Sequence, residues 1–143
     1  MLVRQILGLK GGSEVVTLQK GTMISEAART LSEKRIGAIV VVDGDTPLGI
    51  LSERDIVREL GRRGQGCLTD VVDSLMTREM VTCAPDETAD QVLEKMTEGR
   101  FRHMPVMEEG EMAGLISIGD VVKARLSELS MENNALEDMI KGF

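Results

Sequence analysis

Aromatic residues are nearly missing from this chain: it has no Trp, no Tyr and two Phe among 143 residues. Stacking platforms for bases are therefore absent, and single-stranded nucleic-acid binding by ring stacking is excluded. Charge points the same way. Seventeen basic side chains stand against 24 acidic ones, a net of -7, and such a surface repels a phosphate backbone. No apolar run approaches the ~18–20 residues of a membrane span. The opening Met1–Gly8 lacks the long apolar stretch and small-residue cleavage site of a leader. Cys67 and Cys83 stand alone, without a CxxC pair, and the single His103 is not beside either. A disulfide framework and a zinc site are thus unexpected, and a reducing, cytoplasmic setting is the expectation. What is present is 42% apolar and 29% charged residues, enough to bury a core in a chain of about one-domain length.

The dominant signal is an internal repeat. Shifted by 65 positions, the chain meets itself: Val16 falls on Val81, Glu33 on Glu98, Val41 on Val106, Gly49 on Gly114, Ser52 on Ser117 and Asp55 on Asp120. The N-terminal pattern of Val3 and Leu7 returns at Val71 and Leu75, an offset of 68, which implies about three extra residues near Gly11-Gly12. Each copy reads as β-α-β-β-α. A short strand (14–18 and 79–83) precedes a helix with apolar residues at helical spacing, Ile24, Ala27, Ala28 and Leu31 in the first copy. Pro85 to Thr88 is a helix start. Ile36 to Val42 is a continuous apolar run, expected as a buried strand. Asp43-Gly44-Asp45 is a turn before the returning strand. Ser52 caps a helix over 53–60. The expected fold is α+β, two such units packed as a pair because neither alone buries much core. The boundaries are 1–61 with an N-terminal helix, a glycine-rich linker at 62–67, a second unit at 68–130, and a helical extension at 131–143.

One segment carries chemistry. Gly49-Ile50-Leu51-Ser52-Glu53-Arg54-Asp55 recurs as Gly114-Leu115-Ile116-Ser117-Ile118-Gly119-Asp120. In each, a strand gives way to a helix whose first N–H groups are unpaired and favour an anion. The serine adds a donor. One turn on, the Asp carboxylate can accept from both hydroxyls of a ribose. Ser and Asp at a helix start also make an ordinary cap; their recurrence in register is what singles them out. Arg54 in a first helical turn opposes the helix dipole, which a bound anion relieves. Arg58 and Lys123 are weaker candidates.

These motifs, with Ser25-Glu26-Ala27-Ala28 and Arg102-His103-Met104-Pro105-Val106, resemble the CBS (cystathionine β-synthase) domain as a tandem pair over nearly the whole chain. The resemblance implies a pseudo-twofold module with two clefts for adenine nucleotides, AMP foremost and ATP, ADP or NAD as alternatives. It places ribose on Asp55 and Asp120, and phosphate near Ser52 and Ser117. It brings Thr17 and Thr82 to the cleft and sets basic Arg102 and His103 by phosphate, where the first copy has Gly37 and Ala38. Adenine is then expected on Ile36 to Ala38 and on Met104 to Val106. The implied function is a regulatory module, without catalytic or metal residues, that reports energy state to a separate partner protein.

Two other readings stand beside it: an enzyme of nucleotide or thiol chemistry, with Cys67 activated by Arg62 and Arg63, and a structural dimerisation module with empty sites. The sequence has no GxxxxGK[ST] and no HExxH. Beyond Ser117, Val122, Leu126, Leu129, Asn133, Leu136 and Ile140 follow heptad spacing. A homodimer through this seam is expected; alternatively Asn134 to Glu137 starts a separate helix that folds back.

Overall fold

The computed structural model describes residues 1–10 and 15–141. They form two compact units, residues 15–80 and residues 1–10 with 81–141. The β-α-β-β-α order is complete in the first copy, and the described residues hold five α-helices.

In the unit of residues 15–80, β1 (Thr17–Gln19) pairs parallel with β2 (Ala38–Asp43), which pairs antiparallel with β3 (Thr46–Ser52). Helix α2 (Ile24–Lys34) crosses from β1 to β2, and α3 (Glu53–Arg63) follows β3. Ile24, Ala27 and Leu31 of α2 pack with Ile39, Val41, Leu51 and Ile56. In the other unit, α4 (Ala89–Gly99), β4 (His103–Glu108), β5 (Glu111–Ser117) and α5 (Ile118–Ile140) repeat this arrangement. Its core is Ala89, Val92, Met96, Met104, Val106, Ile116 and Val121. Each of these stands 65 residues after its counterpart, so the repeat is one of packing as well as of letters. Even the bulge recurs, at Val41/Val42 and Val106/Met107.

The copies differ at the first strand. The sequence puts one at 79–83, but only an isolated parallel bridge, Cys83 to Val106, is formed. In the first copy the Val40 N–H donates to the Val16 carbonyl at 3.1 Å. Pro105 replaces Val40 in the second, and proline has no N–H to extend the ladder. Of the first copy's expected strand, Glu14 lies outside the described residues.

The boundaries also move. Helix α1 (Val3–Leu9) groups with the second copy rather than the first. Val3 N–H donates to the Glu87 carbonyl and Ala89 N–H to the Met1 carbonyl, both at 2.9 Å. In the first copy those places are taken by Val72 N–H on Thr22 (2.8 Å) and Ile24 N–H on Asp70 (2.9 Å). Val3 therefore corresponds to Val72 and not Val71. The true offset is 69, one more than the side-chain pattern suggested, because two adjacent valines made the register ambiguous. Val72 begins a short 3-10 turn, Val72–Ser74, where the second copy has α1. The Gly11-Gly12 insertion lies outside the described residues.

Nor is 62–67 an irregular linker. Helix α3 runs on to Arg63, and a 3-10 turn covers Gly64–Thr69. Buried Glu59 holds this end together by pairing with Arg62 and Arg63, and Arg63 pairs in turn with Asp70. The fold-back alternative for the C-terminus is overturned: α5 is one uninterrupted helix of 23 residues. No helix among the described residues is long and apolar enough to cross a membrane.

Candidate functional site

Each unit builds the same small assembly at the start of its last helix. Ser52 and Ser117 are extended N-cap residues of α3 and α5, and each forms a reciprocal capping box with the Asp three residues on. Ser52 N–H and Oγ both donate to Asp55 Oδ2 at 2.9 Å, and Asp55 N–H returns to Ser52 Oγ at 3.3 Å. Ser117 N–H donates to Asp120 Oδ2 at 2.8 Å, and Asp120 N–H to Ser117 Oγ at 3.1 Å. Glu53 N–H reaches the Gly37 carbonyl (2.9 Å) and Ile118 N–H reaches the Arg102 carbonyl (2.8 Å). Ala38 pairs across the sheet with Ser52, and His103 with Ser117. Thus the helix start, the cap serine, the carboxylate and the beginning of the central strand meet in each unit, as the sequence placed them.

The leading glycine of each motif has a packing reason. A Cβ on Gly49 would lie 2.7 Å from the Thr77 carbonyl oxygen, and one on Gly114 would lie 2.9 Å from Leu7 Cδ2. Met76 and Leu7, the side chains that close in, stand 69 residues apart.

Other candidates are distributed less evenly. Thr17 is exposed on β1 opposite Val40, while Thr82 is half-buried and its carbonyl accepts from Lys95 Nζ at 3.2 Å. Ile36 packs partly against its unit's core. Arg102 is exposed and His103 half-buried. Met104 is fully buried within the core cluster, as Ile39 is in the other copy. It cannot serve as an adenine wall there. Strand alternation instead puts Ala38 and Pro105 on the opposite face. Arg54 is exposed on α3, beside a shallow depression of about 420 Å³ that it lines with Glu53, Val57 and Arg58.

The two carboxylates carry different cations. Asp55 Oδ1 pairs with Arg58 at 2.5 Å, an i,i+3 contact with the Arg side chain 72% exposed. Asp120 Oδ2 pairs with Lys10 Nζ at 2.9 Å, and the same ammonium donates to the Leu115 carbonyl at 2.8 Å. Sequence reasoning missed Lys10. It lies 105 residues from Leu115, and the one-residue register error set it against Arg78 rather than Glu79.

Burial pushes the Asp120 carboxyl up, but Lys10, together with the Ser117 N–H and hydroxyl, outweighs it and holds the group below its ordinary 3.8. A depressed carboxyl stabilises the fold above its unfolded pKa, and that stability is lost as pH falls through the folded value. Lys10→Met is therefore expected to lower stability by about 1 kcal/mol near neutrality, with the difference from wild type closing as pH falls below 3.8 through the folded value. Denaturant melts at pH 6 and 2.5 check this; a gap that widens in acid contradicts it.

Neither cysteine suits thiol chemistry. Both are free and buried. Burial first, then Glu87, pushes the Cys83 thiol up to about 11 against the opposing pull of Lys95, and only a thiolate is nucleophilic. Cys67 is wholly inaccessible, and the arginines that were to activate it are engaged by Glu59 and Asp70. At pH 8 a disulfide reagent is expected to titrate neither thiol in the native protein and both after unfolding; rapid native labelling of Cys67 would revive the redox reading.

Comparison with known proteins agrees with this geometry. The CBS domain family model matches residues 11–62 and 71–127. A mitochondrial CBS domain-containing protein of Arabidopsis thaliana, CBSX3, is 32% identical over 124 residues, 83% of this chain. The chain spans 60% of that relative's length. A CBS-domain containing protein from Agrobacterium tumefaciens superposes with a TM-score of 0.84 at 48% identity, covering 87% of this chain and 99% of that one. A CBS domain protein from Pyrobaculum aerophilum complexed with AMP gives 0.76 at 27% identity, covering 92% and 99%. The CBS domain pair of protein MJ0100, in complex with 5'-methylthioadenosine and S-adenosyl-L-methionine, gives 0.77 at 25%, covering 90% and 98%.

Proposed function

This chain belongs to the CBS-domain family as a tandem pair, and on that premise we propose that it is a regulatory module whose two halves bind adenosine compounds. The observation that carries the reading is the recurrence of one strand-to-helix site, Ser52 with Asp55 and Ser117 with Asp120, each closed by a reciprocal capping box. Two structural neighbours of similar extent hold AMP and adenosyl sulfur compounds. In the proposed pose the ribose diol donates to the Asp carboxylate, and phosphate lies toward the cap serine at the helix start, where the helix dipole favours an anion. AMP is the preferred ligand, with ADP, ATP and NAD next. Arg54 in one half, and Arg102 with His103 in the other, supply charge for phosphate. Thr17, Thr82, Ile36, Gly37, Ala38 and Pro105 are the remaining proposed contacts.

Binding alters a separate, regulated protein through differential affinity for two arrangements of the module. The module itself turns nothing over. Calorimetry with AMP, ADP, ATP, NAD and S-adenosylmethionine tests the assignment. Dissociation constants well below millimolar for at least one support it; none, together with an unshifted melting temperature, leaves a structural module with empty sites.

The second part of the proposal is a homodimer through α5. Leu126, Leu129, Leu136 and Ile140 are 61%, 49%, 57% and 85% exposed, an apolar stripe crossed by Asn133 on a helix that also exposes Met131 and Met139, and a second copy buries such a stripe. Light scattering is expected to give twice the chain mass for wild type and the single mass for Leu129→Glu with Leu136→Glu. An unchanged mass in the double variant removes α5 from the interface.

A further inference from the structure

Asp120 already holds a cation from a distant part of its own unit, whereas Asp55 does not. Lys10 closes α1 as its C-cap residue. Its ammonium binds two atoms of the proposed ribose site at once: the Leu115 carbonyl, two residues before the cap serine, and Asp120 Oδ2, the oxygen that also takes the Ser117 N–H. The Lys10 side chain is 29% exposed and that of Asp120 19%, so the pair is shielded on both sides.

The first copy solves the same backbone problem without a charge. There the Ile50 carbonyl, equivalent to that of Leu115, accepts from the Thr77 backbone N–H at 2.8 Å. The residue in register with Lys10 is Glu79, of opposite sign. Asp55 takes Ser52 N–H and Oγ on Oδ2 and Arg58 on Oδ1; Arg58 is mostly in water, and such exposed pairs hold weakly.

We infer that Lys10 is a built-in competitor for Asp120, so that the Asp55 half binds adenosine ligands first and the Asp120 half fills only when the ribose displaces the lysine. This rests on the ribose assignment proposed above. Asp120 Oδ2 takes both the Ser117 N–H and the Lys10 ammonium, so a diol that bridges the two carboxylate oxygens needs the place on Oδ2 that Lys10 holds. Displacing Lys10 from Asp120 removes the tie between α1's C-terminal end and the start of α5, so occupancy of this half is felt at the N-terminal helix. The cation makes filling depend on salt, since ions that screen the Lys10–Asp120 pair help the ribose to compete.

The test is AMP calorimetry on the full chain. Asp55→Asn and Asp120→Asn each silence one half and so assign the binding classes. Wild type is expected to show a tighter class at Asp55 and a weaker one at Asp120. Lys10→Met should tighten the Asp120 class roughly five- to tenfold and leave the Asp55 class unchanged, while Lys10→Arg, which keeps the cation, should stay near wild type. A melting temperature for each ligand-free variant confirms that it is folded. Weaker AMP binding at Asp120 in Lys10→Met makes Lys10 a ligand contact and overturns the inference. So does an Asp120 class that is unmoved, or one that stays unfilled with Lys10 removed while Asp55 binds. AMP binding to neither half in any variant overturns the ribose assignment as well.

Discussion

Replacing Asp55 and Asp120 together by alanine is expected to weaken AMP binding at least about hundredfold. A ribose diol donates two hydrogen bonds to one carboxylate, each worth about 1.5–3 kcal/mol with a charged acceptor, and about 1.4 kcal/mol is a factor of ten. The same carboxylates close the capping boxes of α3 and α5, so the ligand-free variant should also lose about 0.5–2 kcal/mol of stability per cap. Asp→Asn at both positions separates the effects. An amide oxygen can still accept the serine N–H, so the cap is largely kept, but the charge facing the ribose is gone. Titration calorimetry beside urea melts gives both quantities. Affinity that survives in both double variants places the ligand elsewhere.

The largest stability effect in the motif is expected at its first residue, which touches no ligand. Gly49→Ala puts a methyl group 2.7 Å from the Thr77 carbonyl oxygen and 2.9 Å from Met76 Cγ and Sδ. Methionine can move aside. The Thr77 carbonyl cannot, because it accepts the Ile50 N–H at 3.0 Å while Thr77 N–H donates back to Ile50 at 2.8 Å. Relief therefore means parting this bridge, and the expected cost is about 1–3 kcal/mol. Gly114→Ala meets only Leu7 side-chain atoms, at 2.9 and 3.3 Å, which a rotamer change can withdraw, so its cost should be well under half as large. Urea unfolding compares the two; an equal or larger loss at Gly114 contradicts the account.

Much of this was readable in the letters. The 65-residue repeat relates core positions on the helices and central strands of the two units, because a buried site constrains side-chain size in both copies: Ile39 with Met104, Leu51 with Ile116, Ile56 with Val121. The capping boxes followed from Ser and Asp three apart at a strand-to-helix change. What failed had local causes. The loss of the second copy's first strand is written in Pro105, on the partner strand, which lacks the N–H that Val40 supplies in the first copy; the residues of 79–83 themselves carry no sign of it. The α3 extension to Arg63 was hidden by Gly61, which lowers helix propensity without preventing the helix that Glu59 and its arginines secure. Assignment of α1 to the second copy could not come from pattern alone. It depends on backbone bonds to Glu87 and Met1, to which every side chain is silent. The same register carried Lys10 to Asp120, so the charge that distinguishes the two sites was invisible until α1 was placed.

The ribose assignment is tested most directly by a crystal structure of the protein grown with AMP. It should show the 2'- and 3'-hydroxyls about 2.5–3.0 Å from carboxylate oxygens of Asp55, and of Asp120 once Lys10 has withdrawn. AMP seated away from both residues, with each carboxylate still bound only to its own serine and its present cation, contradicts it.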